Sequence, residues 1–453
     1  MPKKENEEAL LAKAHKPAED AMKLHPFYRG KVQIVPKCVI RNLNDLAIWY
    51  TPGVAEPCKA IKADKEKVYQ LTNKWNTIAV VSDGTRVLGL GDIGAEASLP
   101  VMEGKALLFK YLGGVDAVPI CLSTKNPDEI IQAVKWLQPS FGGINLEDIS
   151  TPKCFYILDT LRKEMDVPVW HDDQQGTAVI ILAGLLNALK IVGKKKETVK
   201  LTLVGVGAAN IAISRLLFAD GFKPENTIFV DSKSILHSGR TDLEEKQAGN
   251  PYKWELCQRT NSEKRSGGIP EALKGADVCI ALSKSGPGTI MPEWMRGMTK
   301  DAIAFTCANP VPEIWPWEAK EAGVRIIATG RSDFPNQVNN SIGFPGIFRG
   351  VLDVRARTIT EGMCLAAAYE LAKCAEERGI NEDYIIPTME EWDVFIREAV
   401  AVGLKAIEQG VAQEKLSREE LTKQAEKMIK GARETVSTLM KAGLIPPVPE
   451  GLI

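Results

Sequence analysis

From about Val167 onward, short apolar runs alternate with helix-length segments, and this rhythm limits the fold more than any other feature. The runs are Val167–Trp170, Val199–Val204, Thr227–Val230, Asp277–Leu282, Ala302–Cys307 and Arg325–Thr329. A strand that is apolar along its whole length must be covered on both faces. Parallel βαβ units with helices above and below the sheet are therefore predicted. Upstream, Thr77–Ser82 and Val115–Cys121 read as strands. Gly104–Leu112 and Pro127–Leu137 read as helices, with Gly- and Pro-containing turns between. The first ~25 residues read as an amphipathic helix. The C-terminal segment reads as all-helical, with Ser417 and Glu420 spaced as a capping box and Gly443 placed to end the helix.

A chain of 453 residues exceeds one ordinary core. The expected division is an N-terminal α/β domain over 1–165, a Rossmann-like doubly wound parallel sheet over 166–385, and a helical C-terminal segment over 386–453. Net charge is −1 with signs interspersed, which gives no footprint for nucleic acid or an anionic membrane. The nine cysteines are odd in number and form no CxxC pair, a pattern suited to a reducing cytoplasm. The N-terminus lacks the apolar stretch of a signal peptide. The longest apolar run, Ala178–Leu186, is far short of a membrane span.

Val204-Gly205-Val206-Gly207-Ala208-Ala209-Asn210 follows an apolar strand and opens a helical pattern. Gly205 permits the tight turn, and Gly207 lets backbone approach a pyrophosphate at the helix N-terminus, beside Ala208. Asn210 stands where the fingerprint has its third glycine, so helix–strand packing is the point in question. The next strand ends in Asp231, 26 residues after Gly205, where a carboxylate can accept from an adenosine ribose. NAD is therefore favoured. Lys233, two residues on, could tolerate a 2′-phosphate and leaves NADP open.

Two acidic pairs stand out, Glu147-Asp148 and Asp172-Asp173. A single such pair is usually a solvated loop or a helix cap. The second, however, sits between an apolar strand and an apolar helix, at the strand end where open α/β sheets bind ligands. Carboxylates gathered there need a cation. Hard oxygen donors favour Mg²⁺ or Mn²⁺, and no Cys/His cluster offers a zinc site.

Seven segments, in this order, resemble the malic enzymes, in particular the shorter, bacterial-type members. They are Tyr50-Thr51-Pro52-Gly53-Val54-Ala55, Asp83-Gly84-Thr85-Arg86 with Val87 to Asp92, Met102-Glu103-Gly104-Lys105-Ala106, and Asn145-Leu146-Glu147-Asp148. Then follow His171-Asp172-Asp173-Gln174-Gln175-Gly176-Thr177, Ala308-Asn309-Pro310, and Asn339-Asn340-Ser341-Ile342-Gly343-Phe344-Pro345-Gly346. The resemblance makes the N-terminal domain the substrate domain. It implies oxidative decarboxylation of L-malate to pyruvate and carbon dioxide, with NAD(P)⁺ reduced. It assigns Tyr50 as the acid that protonates enolpyruvate, Lys105 as the base for the C2 hydroxyl, and Asp172 as their support. Glu147, Asp148 and Asp173 would hold the metal. Arg86 would pair with a substrate carboxylate, Asn309 and Asn340 would meet substrate and nicotinamide, and Asn339 would meet the cofactor. It also implies a homodimer with part of the N-terminal domain at the interface. The departures are Asn210 and Gln174, where many members carry an aliphatic residue.

The chemistry accommodates these residue types. Of only four histidines, His171 alone lies near a site motif, so a lysine base is reasonable if burial and neighbouring cations lower its pKa. A phenol can protonate an enolate, and the guanidinium fork binds two carboxylate oxygens at once. A malolactic-type enzyme, which releases lactate with bound NAD, would share every motif. A non-catalytic dinucleotide sensor on the same fold would need none of the acids.

Overall fold

The computed structural model describes residues 16–453. The leading helix expected over the first ~25 residues thus falls partly outside the described residues; 16–28 are helical.

Two parallel sheets organise the chain. The first contains β1 (Thr77–Ser82), β2 (Asp116–Cys121), β3 (Gly143–Leu146) and β4 (Val169–His171), in the order β2-β1-β3-β4. The second contains β5 (Leu201–Val204), β6 (Thr227–Val230), β7 (Val278–Ala281), β8 (Ala302–Thr306) and β9 (Val324–Thr329), in the order β6-β5-β7-β8-β9. Every pairing is parallel. All residues of β5 to β8 are buried, which is why these strands read as unbroken apolar runs.

One strand belongs elsewhere than expected. Val167–Trp170, read as opening the second sheet, contributes β4, which pairs with β3 through Ile144–Val169 and Leu146–His171. It therefore closes the first sheet. The partner strand β3 is four residues long and begins with glycine, too short to leave a periodic signal in the sequence.

Helix Asp172–Val192 leaves β4 and runs from the first sheet to the second. It packs on helices Ala208–Ala219 and Glu361–Arg378. By length and composition alone it could cross a membrane, but two thirds of its apolar window (67%) is buried inside the fold. A single core extends across both sheets, from Ile78 and Ile144 through Val179 and Leu182 to Leu203 and Phe305.

The C-terminal helices return to the N-terminal domain. Helix Phe344–Asp353 packs on helix Ala95–Gly113, where Phe109 lies 4.5 Å from Phe344 and 5.1 Å from Phe348, centroid to centroid. Helix Arg418–Lys441 starts at the predicted Ser417–Glu420 capping box and lies along the same helix, with Ile429 and Ala425 beside Leu112. All nine cysteines are free thiols.

Candidate active site

The two acidic pairs come together because β3 and β4 are neighbours. Glu147-Asp148 follows β3 directly, Asp172-Asp173 follows β4, and both leave the carboxyl edge of one parallel pair. Asp172 and Asp173 also form the first turn of a 21-residue helix, where the helix dipole favours negative charge. Lys105 reaches the same point from helix Ala95–Gly113.

The Lys105 ammonium is 8% exposed. It lies 2.6 Å from Asp172 Oδ2, 3.0 Å from Glu147 Oε1 and 4.3 Å from the centre of the Phe344 ring. The second oxygen of Asp172 accepts the Trp170 indole N–H at 3.0 Å, and Glu147 Oε2 accepts the Asn145 amide at 2.9 Å. Asp173 Oδ2 accepts the Asp148 backbone N–H at 2.9 Å. One oxygen each from Glu147, Asp148 and Asp173 lie within 4.8 Å of one another. Asp148 Oδ2 and Asn145 Oδ1 are buried with no hydrogen-bond partner. Four carboxyl groups around one ammonium would carry three uncompensated negative charges if all were ionised. An orphaned oxygen beside three hard donors fits a divalent cation of the Mg²⁺ or Mn²⁺ type.

The electrostatics correct one expectation. Burial opposes charge on Lys105, but Asp172 and Glu147 outweigh it and hold the ammonium above its usual range. The neighbours expected to lower its pKa were cations; those present are anions. Burial raises Glu147 well above the carboxylate range, and burial together with Asp173 pushes Asp148 up to about 8. His171 is fully buried, which lowers its pKa; among the described residues neither ring nitrogen has a hydrogen-bond partner, and Nε2 lies 3.8 Å from Asp173 Oδ2.

The loop after β5 occupies the carboxyl edge of the second sheet. Gly205 has φ 98°, and a side chain there would meet the Leu282 carbonyl oxygen at 2.5 Å. Gly207 caps helix Ala208–Ala219. Asn210 resolves the question of the missing glycine, because its amide donates to the carbonyls of Val204 and Gly205, both at 2.9 Å. It ties the helix to the strand rather than loosening the contact. Asp231 ends β6 as expected, but its carboxylate is already engaged. It is only 4% exposed, accepts from Arg240 at 3.2 Å and pairs with Lys253 at 2.6 Å. Burial disfavours its charge, yet these hydrogen bonds hold it down to about 2. Neither cation was singled out in the sequence, since both are distant from the fingerprint.

The remaining residues are placed unequally. Asn340 is half-buried and borders Gly176, beside Asp172, while the Asn339 side chain caps the short turn ahead of Phe344. Arg86 is exposed, and its backbone N–H donates to the Asp148 carbonyl at 2.9 Å. Its loop meets the other sheet, because a side chain on Gly89 would lie 2.7 Å from the Asn309 carbonyl oxygen. Tyr50 is not gathered with this group. It caps helix Leu43–Trp49, is 75% exposed and, among the described residues, has no side-chain hydrogen bond.

Gly176 has a steric duty that the sequence did not disclose. A methyl group there would sit 2.0 Å from Asp172 Oδ1. Gly176→Ala is expected to expel the carboxylate from its place beside Lys105. Lys105 would then lack one partner of a buried pair, a loss of about 3–5 kcal/mol. Thermal unfolding would show the loss, and an unchanged Tm would refute the steric argument.

Comparison with known proteins places this geometry in a family. The malic enzyme N-terminal domain matches residues 29–162, and the malic enzyme NAD-binding domain matches 174–315 and 322–407. The chain is 47% identical over 410 residues to the bifunctional malic/malolactic enzyme of Bacillus subtilis, covering 90% of this chain and 98% of that protein. It is 52% identical over 383 residues to the NAD-dependent malic enzyme of Geobacillus stearothermophilus, covering 84% and 78%. The crystal structure of the Entamoeba histolytica malic enzyme superposes with a TM-score of 0.96 at 49% identity, over 99% of this chain and 93% of that one. With the acidic cluster, the buried lysine and the dinucleotide loop all in place, the chain belongs to the malic enzyme family.

Proposed function

We propose that this protein oxidises and decarboxylates L-malate to pyruvate and carbon dioxide, reducing NAD⁺ or NADP⁺, with Mg²⁺ or Mn²⁺ held by Glu147, Asp148 and Asp173. The observation that carries the reading is the Lys105 ammonium set between Asp172 and Glu147 at the rim of a three-carboxylate cluster. Lys105 Nζ takes the C2 hydroxyl proton once its own proton has passed to Asp172 Oδ2, 2.6 Å away. Arg86 holds a malate carboxylate through its fork. Tyr50 delivers the proton that C3 needs after carbon dioxide leaves. When bound, the divalent ion supplies Lewis acidity at the C2 oxygen. Gly205, Gly207 and Ala208 receive the pyrophosphate, Asp231 lies at the adenosine end, and Asn309, Asn339 and Asn340 border the nicotinamide and substrate.

The exposure of Tyr50 supports a homodimer. Ile34 (97% exposed), Leu43, Leu46, Ile48, Trp49 and Tyr50 are a row of exposed apolar and aromatic side chains, among the described residues, along the segment that precedes β1. A second copy laid on this row would bury it and give Tyr50 the surroundings that it lacks in one chain. A malolactic outcome is the second reading, because the 47% identical Bacillus subtilis relative is named for both activities.

Malate added with NAD⁺ or NADP⁺ and Mn²⁺ should raise absorbance at 340 nm and yield pyruvate. A flat trace with lactate formed would instead establish the malolactic reading. Lys105→Ala should slow malate oxidation by about 10²-fold or more while dinucleotide affinity holds. Near-normal turnover in that variant would remove Lys105 from the mechanism.

The cluster sets a pH dependence. The folded pKa of Asp148 is raised to about 8, so its contribution to metal-free stability is present at low pH and is lost as pH rises through 8. A divalent ion competes with those protons, and the Tm gain on adding Mn²⁺ should grow from about pH 6 to about pH 8. The gain should vanish in Asp173→Ala. An equal gain at both pH values, or in that variant, would dissociate the cluster from metal binding.

The dimer is tested by the double substitution Leu43→Glu and Leu46→Glu. Light scattering should report a dimer for the wild type and a monomer for the variant. A monomeric wild type would end the dimer reading.

A further inference from the structure

Glu313 is fully buried, and among the described residues no lysine or arginine pairs with it. Its two oxygens face two different loops. Oε1 accepts the Ser283 backbone N–H at 2.9 Å and the Ser283 hydroxyl at 3.3 Å, while Oε2 accepts the Ala308 backbone N–H at 3.1 Å. Ser283 follows β7 and Ala308 follows β8, so the carboxylate bridges the carboxyl ends of adjacent parallel strands. This is the edge at which open α/β sheets bind ligands. The same loops are sewn together further out, where Ser285 Oγ donates to the Val311 carbonyl at 2.9 Å and the Gly286 N–H donates to the same oxygen at 3.1 Å.

The residue next to Ala308 is Asn309, and neighbours close on it and on Pro310 from several segments. Arg331 donates to the Pro310 carbonyl at 3.2 Å. The Asn309 side chain lies over Gly330, where a Cβ would come within 3.1 Å of its Oδ1. Gly89 closes on its carbonyl oxygen from the other sheet. Glu313 supplies the restraint on the strand side.

We propose that Glu313 is a positioning residue for the dinucleotide, fixing the loops after β7 and β8 so that Asn309 meets the nicotinamide end. The arrangement requires a carboxylate. Two N–H donors approach two acceptor oxygens, and a glutamine would turn its NH₂ towards one of them. The proposal rests on the dinucleotide reading of this edge.

The test is a fluorescence titration of the full chain with NADH and with NADPH, beside steady-state kinetics with malate and Mn²⁺. Glu313→Gln should weaken dinucleotide binding about tenfold and raise the dinucleotide KM in step, while the Tm gain that Mn²⁺ gives at the acidic cluster stays that of wild type. If the Gln variant does not fold, Glu313→Asp serves instead. It keeps the carboxyl group but is one methylene short of bridging both loops, and the same split is expected. A folded variant whose dinucleotide affinity matches wild type overturns the proposal. So does a folded variant that has lost the Mn²⁺ gain in Tm along with its dinucleotide affinity, since that is the mark of general disorder. A wild-type chain that binds neither dinucleotide overturns the reading of the edge itself, and the proposal with it.

Discussion

One ammonium buried among four carboxylates is the interaction on which the rest of the site depends. Lys105 cannot leave without stranding Asp172 and Glu147 as buried acids, and neither acid can leave without stranding the lysine. Such a cluster persists only if its surroundings hold it in one geometry. Trp170 fixes the outer oxygen of Asp172, Asn145 fixes Glu147, and Phe344 closes over the ammonium. Those three come from the first sheet and from helix Phe344–Asp353, so about three quarters of the chain must be in place before the cluster is enclosed. The return of helix Phe344–Asp353 onto helix Ala95–Gly113 is thus part of the site as much as of the core.

The division of labour between the sheets follows from parallel topology. Both present their carboxyl edges to loops, and the loops of one sheet meet those of the other at Gly89 and Asn309. Helix Asp172–Val192 begins inside the acidic cluster and ends against the second sheet's helices, which sets the spacing between the cluster and the dinucleotide loop. The three-carboxylate cluster favours a metal-dependent reaction, while the loop after β5 favours a nucleotide cofactor. The helix that starts at one and packs beside the other links them through a continuous core.

Much of this was legible in the sequence. Thr77–Ser82, Thr227–Val230 and helix Pro127–Leu137 stand where the apolar patterns put them, because fully buried strands and amphipathic helices leave strong periodic signals. β3 was not legible, since Gly143–Leu146 is four residues long with an asparagine between its two apolar side chains, too short to show a pattern, and β4 was assigned to the wrong sheet without it. The acidic pairs could be picked out as candidates, but their adjacency is a fact of strand order. The direction of the Lys105 pKa depends on which neighbours surround it, and local sequence does not carry that. Asp231 looked free because Arg240 and Lys253 approach it from later segments. Glu313 gave no signal, since a lone glutamate beyond a strand reads as a solvated charge until its two loops close around it.

The contact between Gly89 and Asn309 has a consequence for anyone rebuilding this scaffold. With no room for a side chain between them, the loop that carries Arg86 and the loop that carries Asn309 are a matched pair, shaped against each other across two sheets. Grafting one of them alone from a relative with different selectivity would import a surface without its counterpart. The exchangeable unit is therefore discontinuous in sequence, and recombination at the boundary between the two sheets would separate its halves.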